Sequence, residues 1–254
     1  MTRHFVPCIL CFVLPAVVQS ELLFNNALRA GLAEEGLKTG IRPAGGWYSD
    51  VQEGNVVFGW SFRQFSIWLA DDFTVPSGGW LIREFATFGE QAGVSGLTID
   101  SGSIEICRDT WDGKIVSTGT FHRAELTDIY RSIWYDHSRE YQIQKVTYRL
   151  NAVLPPGNYW ARWTAKGNVS VGGPFAPALT KAGSLGVPGA NAMQRQVTTW
   201  IHWEPVYDGG SLTPQDLPFM ITGKRLSESG GGVEAPVPIP PDPLESLLAA
   251  GGQR

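Results

Sequence analysis

The sequence predicts an all-β protein: an antiparallel β-sandwich, jelly-roll-like, with a short N-terminal helical segment and a disordered C-terminal tail. Three observations predict it. Apolar side chains recur with a period of two through several short runs, as in Val146, Tyr148 and Leu150 against Lys145, Thr147 and Arg149. That spacing turns one face of a strand toward a core. Turn formers separate these runs, and 30 glycines and 17 prolines in 254 residues leave little room for long helices. No amphipathic run of helical length is interleaved between the strand patterns, which favours an antiparallel sandwich or barrel over a parallel sheet. With 43% apolar and 17% charged residues the chain has the material for a packed core. Its 20 basic against 24 acidic side chains give no positive surplus for phosphate backbones, so nucleic acid is not an expected partner.

Residues 1–20 read as a secretory signal peptide. Arg3 and His4 precede the apolar run Phe5 to Val18, and Val18-Gln19-Ser20 sets small residues before a cut ahead of Glu21. The run is broken by Pro7 and Pro15 and falls short of the ~20 residues that span a bilayer, so no transmembrane segment is expected in the mature chain. The expected location is extracellular or in the cell envelope. Cleavage would remove Cys8 and Cys11 and leave Cys107 alone, so stability must come from the core rather than from disulfides.

Residues 21–46 form an N-terminal segment packing on the domain, in which Asn25 or Asn26 caps a short helix carrying Leu28 and Leu32. Residues 47–225 form the sandwich. Val56, Phe58, Trp60 and Phe62 alternate as one face of a strand, and Leu81 to Phe88 forms another. Ser103 to Arg108 leads through a tight Asp112-Gly113 hairpin into Lys114 to Ser117. Lys145 to Leu150 is reversed at Pro155-Pro156-Gly157, and Tyr159, Ala161 and Trp163 mark the return strand. Further strands fall at Val197 to Trp203 and Pro218 to Gly223, and Gly167 to Ala192 is a long loop of the kind that often carries function. Residues 226–254, with Gly230-Gly231-Gly232 and the proline-rich Ala235 to Pro243, read as a flexible tail.

Several short motifs occur in a fixed order: Leu69-Ala70-Asp71-Asp72-Phe73-Thr74-Val75-Pro76, the Ile104 to Gly113 strand and turn, Leu154-Pro155-Pro156-Gly157-Asn158-Tyr159-Trp160, Gly189-Ala190-Asn191-Ala192, and Gln215-Asp216-Leu217-Pro218-Phe219. Their order resembles a widespread set of uncharacterised secreted proteins of Gram-negative bacteria that share an Ala-Asp-Asp-Phe-x-x-Pro motif. The resemblance covers roughly Leu23 to Gly223 and implies an exported β-sandwich, without implying an activity. Many of those proteins end in a Pro-Glu-Pro sorting signal with an apolar helix and an Arg cluster. Here Val237-Pro238-Ile239-Pro240-Pro241 is followed by Leu244 to Arg254 without such a helix.

Catalytic motifs are absent from the sequence: there is no Gly-x-Ser-x-Gly elbow, His-Glu-x-x-His pair or phosphate loop. His122, His137 and His202 are too widely spaced to suggest a zinc site. Glu53, Glu84, Glu90, Glu105 and Glu204 could in principle supply a carboxylate pair for glycoside or polysaccharide hydrolysis, but their spacing in the fold is not legible. Asp71 and Asp72 are the candidate metal ligands: adjacent carboxylates could hold a structural Ca²⁺. Alternatively, one Asp accepts backbone N–H bonds while the other faces water. Ten tryptophans offer flat faces for sugar rings. Trp60 and Trp163 share the phase of core residues, whereas Trp111 lies in a turn, Trp134 beside a polar loop and Trp200 in phase with His202, making these three the candidate ligand-binding residues. The leading expectation is a non-enzymatic, exported surface or extracellular-matrix β-sandwich of unknown ligand, with polysaccharide or cell-surface components as candidate partners. The alternative is a carbohydrate-binding module using exposed tryptophans, and the third a hydrolase.

Overall fold

The computed structural model describes residues 20–26, 37–51, 54–63, 66–132, 137, 139–178, 189–197 and 202–227. Residues 1–19 of the signal segment, the helix expected around Leu28 and Leu32, the tail beyond Ser227, and the candidates Trp134 and Trp200 lie outside them. Among the described residues the chain forms fourteen strands: β1 (Glu21–Asn25), β2 (Gly40–Ile41), β3 (Trp47–Asp50), β4 (Trp60–Ser61), β5 (Ile67–Val75), β6 (Trp80–Gly89) and β7 (Ser101–Arg108) come first. They are followed by β8 (Ile115–Ser132), β9 (Glu140–Leu154), β10 (Gly157–Lys166), β11 (Phe175–Ala176), β12 (Met193–Gln196), β13 (Trp203–Pro205) and β14 (Phe219–Arg225).

Hydrogen bonding runs unbroken through β1-β14-β6-β9-β8-β7-β10-β5-β12-β13. This one sheet curls until its two ends face each other across the core. Phe219 on β14 meets Trp163 on β10 at 6.1 Å and Phe73 on β5 at 6.4 Å, while Phe85 on β6 meets Trp163 at 5.5 Å. The result is an all-β, sandwich-like fold. Its bend is carried by β8 and β9, 18 and 15 residues long, whose pairing slips at Phe121/Arg123 and Leu126/Tyr130. Such bulges increase local twist and let a strand pass from one layer to the other.

Period-two patterns succeed where a face is buried. On β9, Val146, Tyr148, Leu150, Ala152 and Leu154 are buried while Arg149, Asn151 and Val153 are exposed. On β10, Tyr159, Ala161 and Trp163 enter the core. Pro155-Pro156-Gly157 does not close a hairpin, however: β9 pairs with β6 and β8, and β10 with β5 and β7. The turn carries the chain between layers, as does the Pro76–Gly79 turn from β5 to β6. Gly79 is needed there, at φ +82°, because a β-carbon would stand 2.7 Å from the Leu154 carbonyl oxygen.

Two local expectations are corrected. Of the run Val56 to Phe62 only Trp60 and Ser61 form a strand, and Val56 is 68% exposed. The N–H groups of Val56 and Val57 donate to Asp208 Oδ2 at 2.9 and 2.7 Å, so a side chain replaces the missing ladder partner. The β7–β8 connection is likewise longer than the two-residue Asp112-Gly113 turn. It spans Asp109 to Lys114, with Asp109 at φ +67° and the Gly113 N–H donating to the Thr110 carbonyl.

Candidate functional site

Strand alternation separates the two candidate metal ligands. Asp71 shares the inward phase of Leu69, Phe73 and Val75, while Asp72 points to the outer face opposite Trp160 in the ladder. Asp71 Oδ1 accepts from the Asp72 N–H at 2.8 Å, and Oδ2 accepts from Leu217 N–H at 3.1 Å and Asn26 Nδ2 at 3.2 Å. Asn26 also donates to the Leu217 carbonyl and accepts the Phe219 N–H at 2.8 Å. These bonds tie the end of β1 and the approach to β14 onto β5. Burial, and then the neighbouring Asp216, push the Asp71 carboxyl well above the usual carboxylate range. The structure therefore does not bring the two carboxylates together, and among the described residues no group of three or more His, Cys, Asp or Glu side chains is placed to hold a metal ion.

Trp111 is placed at a groove. The outward phase of β10 presents Trp160, and the β7–β8 loop sets Trp111 against it with centroids 5.4 Å apart and planes at 78°. Together with Asn191, Met193, Pro205, Tyr207 and Pro214 they border a groove of about 290 Å³. Trp160, Ala70, Cys107 and Met193 form a small apolar cluster on this outer face, with Trp111 and Trp203 packed against it. Burial pushes the Cys107 thiol up, leaving it a neutral packing group.

Beside the groove, Arg162 donates through Nη1 to the Trp111 carbonyl at 3.2 Å and through Nη2 to Glu105. Its guanidinium also lies 5.9 Å from the Trp203 ring. Trp160 could have been found from sequence, since it alternates out of phase with the inward Tyr159 and Ala161. Asn191 and Tyr207 carried no such signal. They reach the groove only because β12 pairs with both β5 and β13.

The remaining titratable groups are dispersed. Arg123 bonds to Glu84 at 2.9 and 3.3 Å and holds its carboxyl below the usual range. Glu105 is paired with Arg162, Glu204 is exposed on β13, and Glu53 lies outside the described residues. Glu90 is buried at the end of β6, and burial raises its carboxyl to about 8 although Arg131 opposes the shift. His137 stacks on Tyr48 at 3.7 Å with Nδ1 3.4 Å from Asp50, His122 contacts Arg149 at 3.0 Å, and His202 is exposed. Comparison with protein-family models and with curated proteins returned no match.

Proposed function

We propose that the protein is a non-enzymatic, exported β-sandwich that acts at the cell surface or in the extracellular matrix by binding a ligand in the Trp111–Trp160 groove. The observation that carries this reading is the groove itself. Two indole rings and the neutral side chains of Asn191 and Tyr207 border it, a lining suited to holding a ligand rather than to moving protons or attacking a bond. Four carboxyl groups support the same reading: Asp71 and Asp208 are engaged by backbone N–H groups, and Glu84 and Glu105 by arginines. The apolar run from Phe5 to Val18 supports export.

Fractionation of the producing cell with N-terminal sequencing tests the location, and incubation of the purified protein with polysaccharides tests the absence of catalysis. The expected results are recovery outside the cytoplasm with an N-terminus near Glu21 and no release of new reducing ends. A cytoplasmic protein beginning at Met1, or one that cleaves a polysaccharide, would contradict the proposal.

A further inference from the structure

We infer that the Trp111–Trp160 groove is a saccharide subsite for one or two pyranose units of a neutral glycan, and that Arg162 is the residue that positions Trp111. This inference rests on the binding reading above and names its ligand class.

The ring geometry comes first. Trp160 is 8% exposed and forms a floor, while the half-buried Trp111 stands almost perpendicular to it as a wall. A pyranose has an apolar C–H face bounded by a rim of hydroxyls. Such a ring can lay its C–H face on one indole while its edge is covered by the other, burying apolar surface without stripping water from the rim.

Charge comes second. Among the described residues that line the groove there is no Asp, Glu, Lys, Arg or His. The polar groups at its mouth are the exposed Asn191 amide and Tyr207 phenol, and each can both donate and accept, as a sugar hydroxyl does. Two charges beside it are already engaged: Arg162 with Glu105 and the Trp111 carbonyl, and Asp216 Oδ1 with the Asn191 N–H at 3.0 Å. An anionic ligand would meet no unpaired cation along this lining. The volume of about 290 Å³ sits at the lower edge of the ~300–1,000 Å³ usual for small-molecule sites, enough for a short stretch of a chain rather than a folded partner.

Preorganisation comes third. The Trp111 loop is fixed by Arg162 to the Trp111 carbonyl, by Thr110 Oγ1 to Asp112 at 2.9 Å, and by the Asp109 N–H to the Asn158 carbonyl at 2.9 Å. Trp111 therefore does not have to be ordered when a ligand arrives, which removes one entropic cost of binding. Arg162 has the donor fork to bridge that carbonyl and Glu105 at once, a geometry a lysine does not reproduce.

The test is affinity electrophoresis of the purified full chain through gels containing β-glucan, mannan, xylan or galactan, with alginate and pectate as acidic controls. At least one neutral polymer is expected to retard the protein, and Trp111→Ala is expected to weaken that retardation at least tenfold while the far-ultraviolet circular dichroism of the folded chain is retained at the assay temperature. Trp111→Phe should restore part of it. Arg162→Met keeps the aliphatic stem; it should weaken binding to the same polymer and reduce the circular-dichroism couplet of the Trp111–Trp160 pair.

Retention by acidic polymers alone, by no polymer, or equally by Trp111→Ala would overturn the saccharide assignment. Wild-type affinity and couplet in Arg162→Met would overturn its positioning role. An apolar peptide that quenches tryptophan fluorescence only when Trp111 is present would overturn the saccharide assignment while leaving the binding reading intact. Indifference of Trp111→Ala to every probe would sink both.

Discussion

Replacing Glu90 by Gln isolates the most unusual electrostatic feature of the core. Glu90 is 1% exposed, and neither carboxyl oxygen has a hydrogen-bond partner among the described residues. Its backbone is fixed by reciprocal 2.9 Å bonds with Phe175, so the side chain cannot turn outward without breaking the β-bridge. Burial lifts the carboxyl from an ordinary 4.5 to about 8, and the buried Arg131, whose guanidinium bonds the Phe58, Ser49 and Asp50 carbonyls, reduces the shift without cancelling it. Between these two values the folded chain keeps a proton that the unfolded chain has released. Stability is thus fully present below pH 4.5, declines as pH rises, and levels off above about 8. At ~1.36 kcal/mol per pH unit the ceiling is about 5 kcal/mol, and relaxation or water entry would reduce it to a few kcal/mol. Glu90→Gln cannot ionise and lacks this decline. Urea unfolding of both proteins at steps from pH 5 to 8.5 should show the variant gaining on the wild type by at least ~2 kcal/mol across the range. The difference cancels the parallel contribution of Asp71, whose carboxyl is also raised. A pH-independent difference would mean that Glu90 is solvated or ionised in the fold, and the reasoning would fail.

Asp208 should behave in the opposite sense. Burial pushes its carboxyl up, but N–H donors from Ser211, Val57, Gly210 and Val56 outweigh this and hold it below the usual range, so its contribution is present at neutral pH and lost as pH falls through the folded value. Asp208→Asn should cost ~1–3 kcal/mol at pH 7 and less at pH 3 by urea unfolding. Phe219, fully buried among Phe24, Phe73, Phe85 and Trp163, should cost ~3–5 kcal/mol as Phe219→Ala. Deletion after Ser227 should leave the melting midpoint within about two degrees, and equal losses in the two variants would show that the tail contributes to the domain. Chelator and Ca²⁺ should leave the midpoint unchanged, because the Asp71 oxygens already accept three N–H bonds. A chelator-sensitive melt abolished by Asp72→Ala would place a calcium ion at that strand.

The legible parts of the fold were those in which one side chain in two enters the core. Val146, Tyr148 and Leu150, or Tyr159, Ala161 and Trp163, announce their strands because burial is decided residue by residue along the run. Val56 to Phe62 shows the same alternation with a strand only at Trp60 and Ser61, because Asp208, about 150 residues away, satisfies the backbone N–H groups of Val56 and Val57. Turn chemistry at Pro155-Pro156-Gly157 marks a reversal but does not encode which strand will lie alongside. Of the groove, Trp111 was legible as an aromatic stranded in a turn. Trp160 was legible by phase, but Asn191, Met193 and Tyr207 were not, since only the β5-β12-β13 pairing assembles them. The sequence offers Glu90 only as one of five candidate carboxylates for hydrolysis and does not single out Arg131, because no local pattern foretells the burial of an ionisable group.

The indole N–H region of the ¹H–¹⁵N spectrum tests the binding account most directly. With Trp111 and Trp160 assigned by Trp→Phe variants, the retained neutral oligosaccharide is added to the full chain. The account expects the Trp111 and Trp160 resonances to shift in a saturable way while those of the core residues Trp80 and Trp163, 2% and 0% exposed, stay in place. Saturable shifts elsewhere with Trp111 and Trp160 unmoved, or no shifts at all, would contradict it.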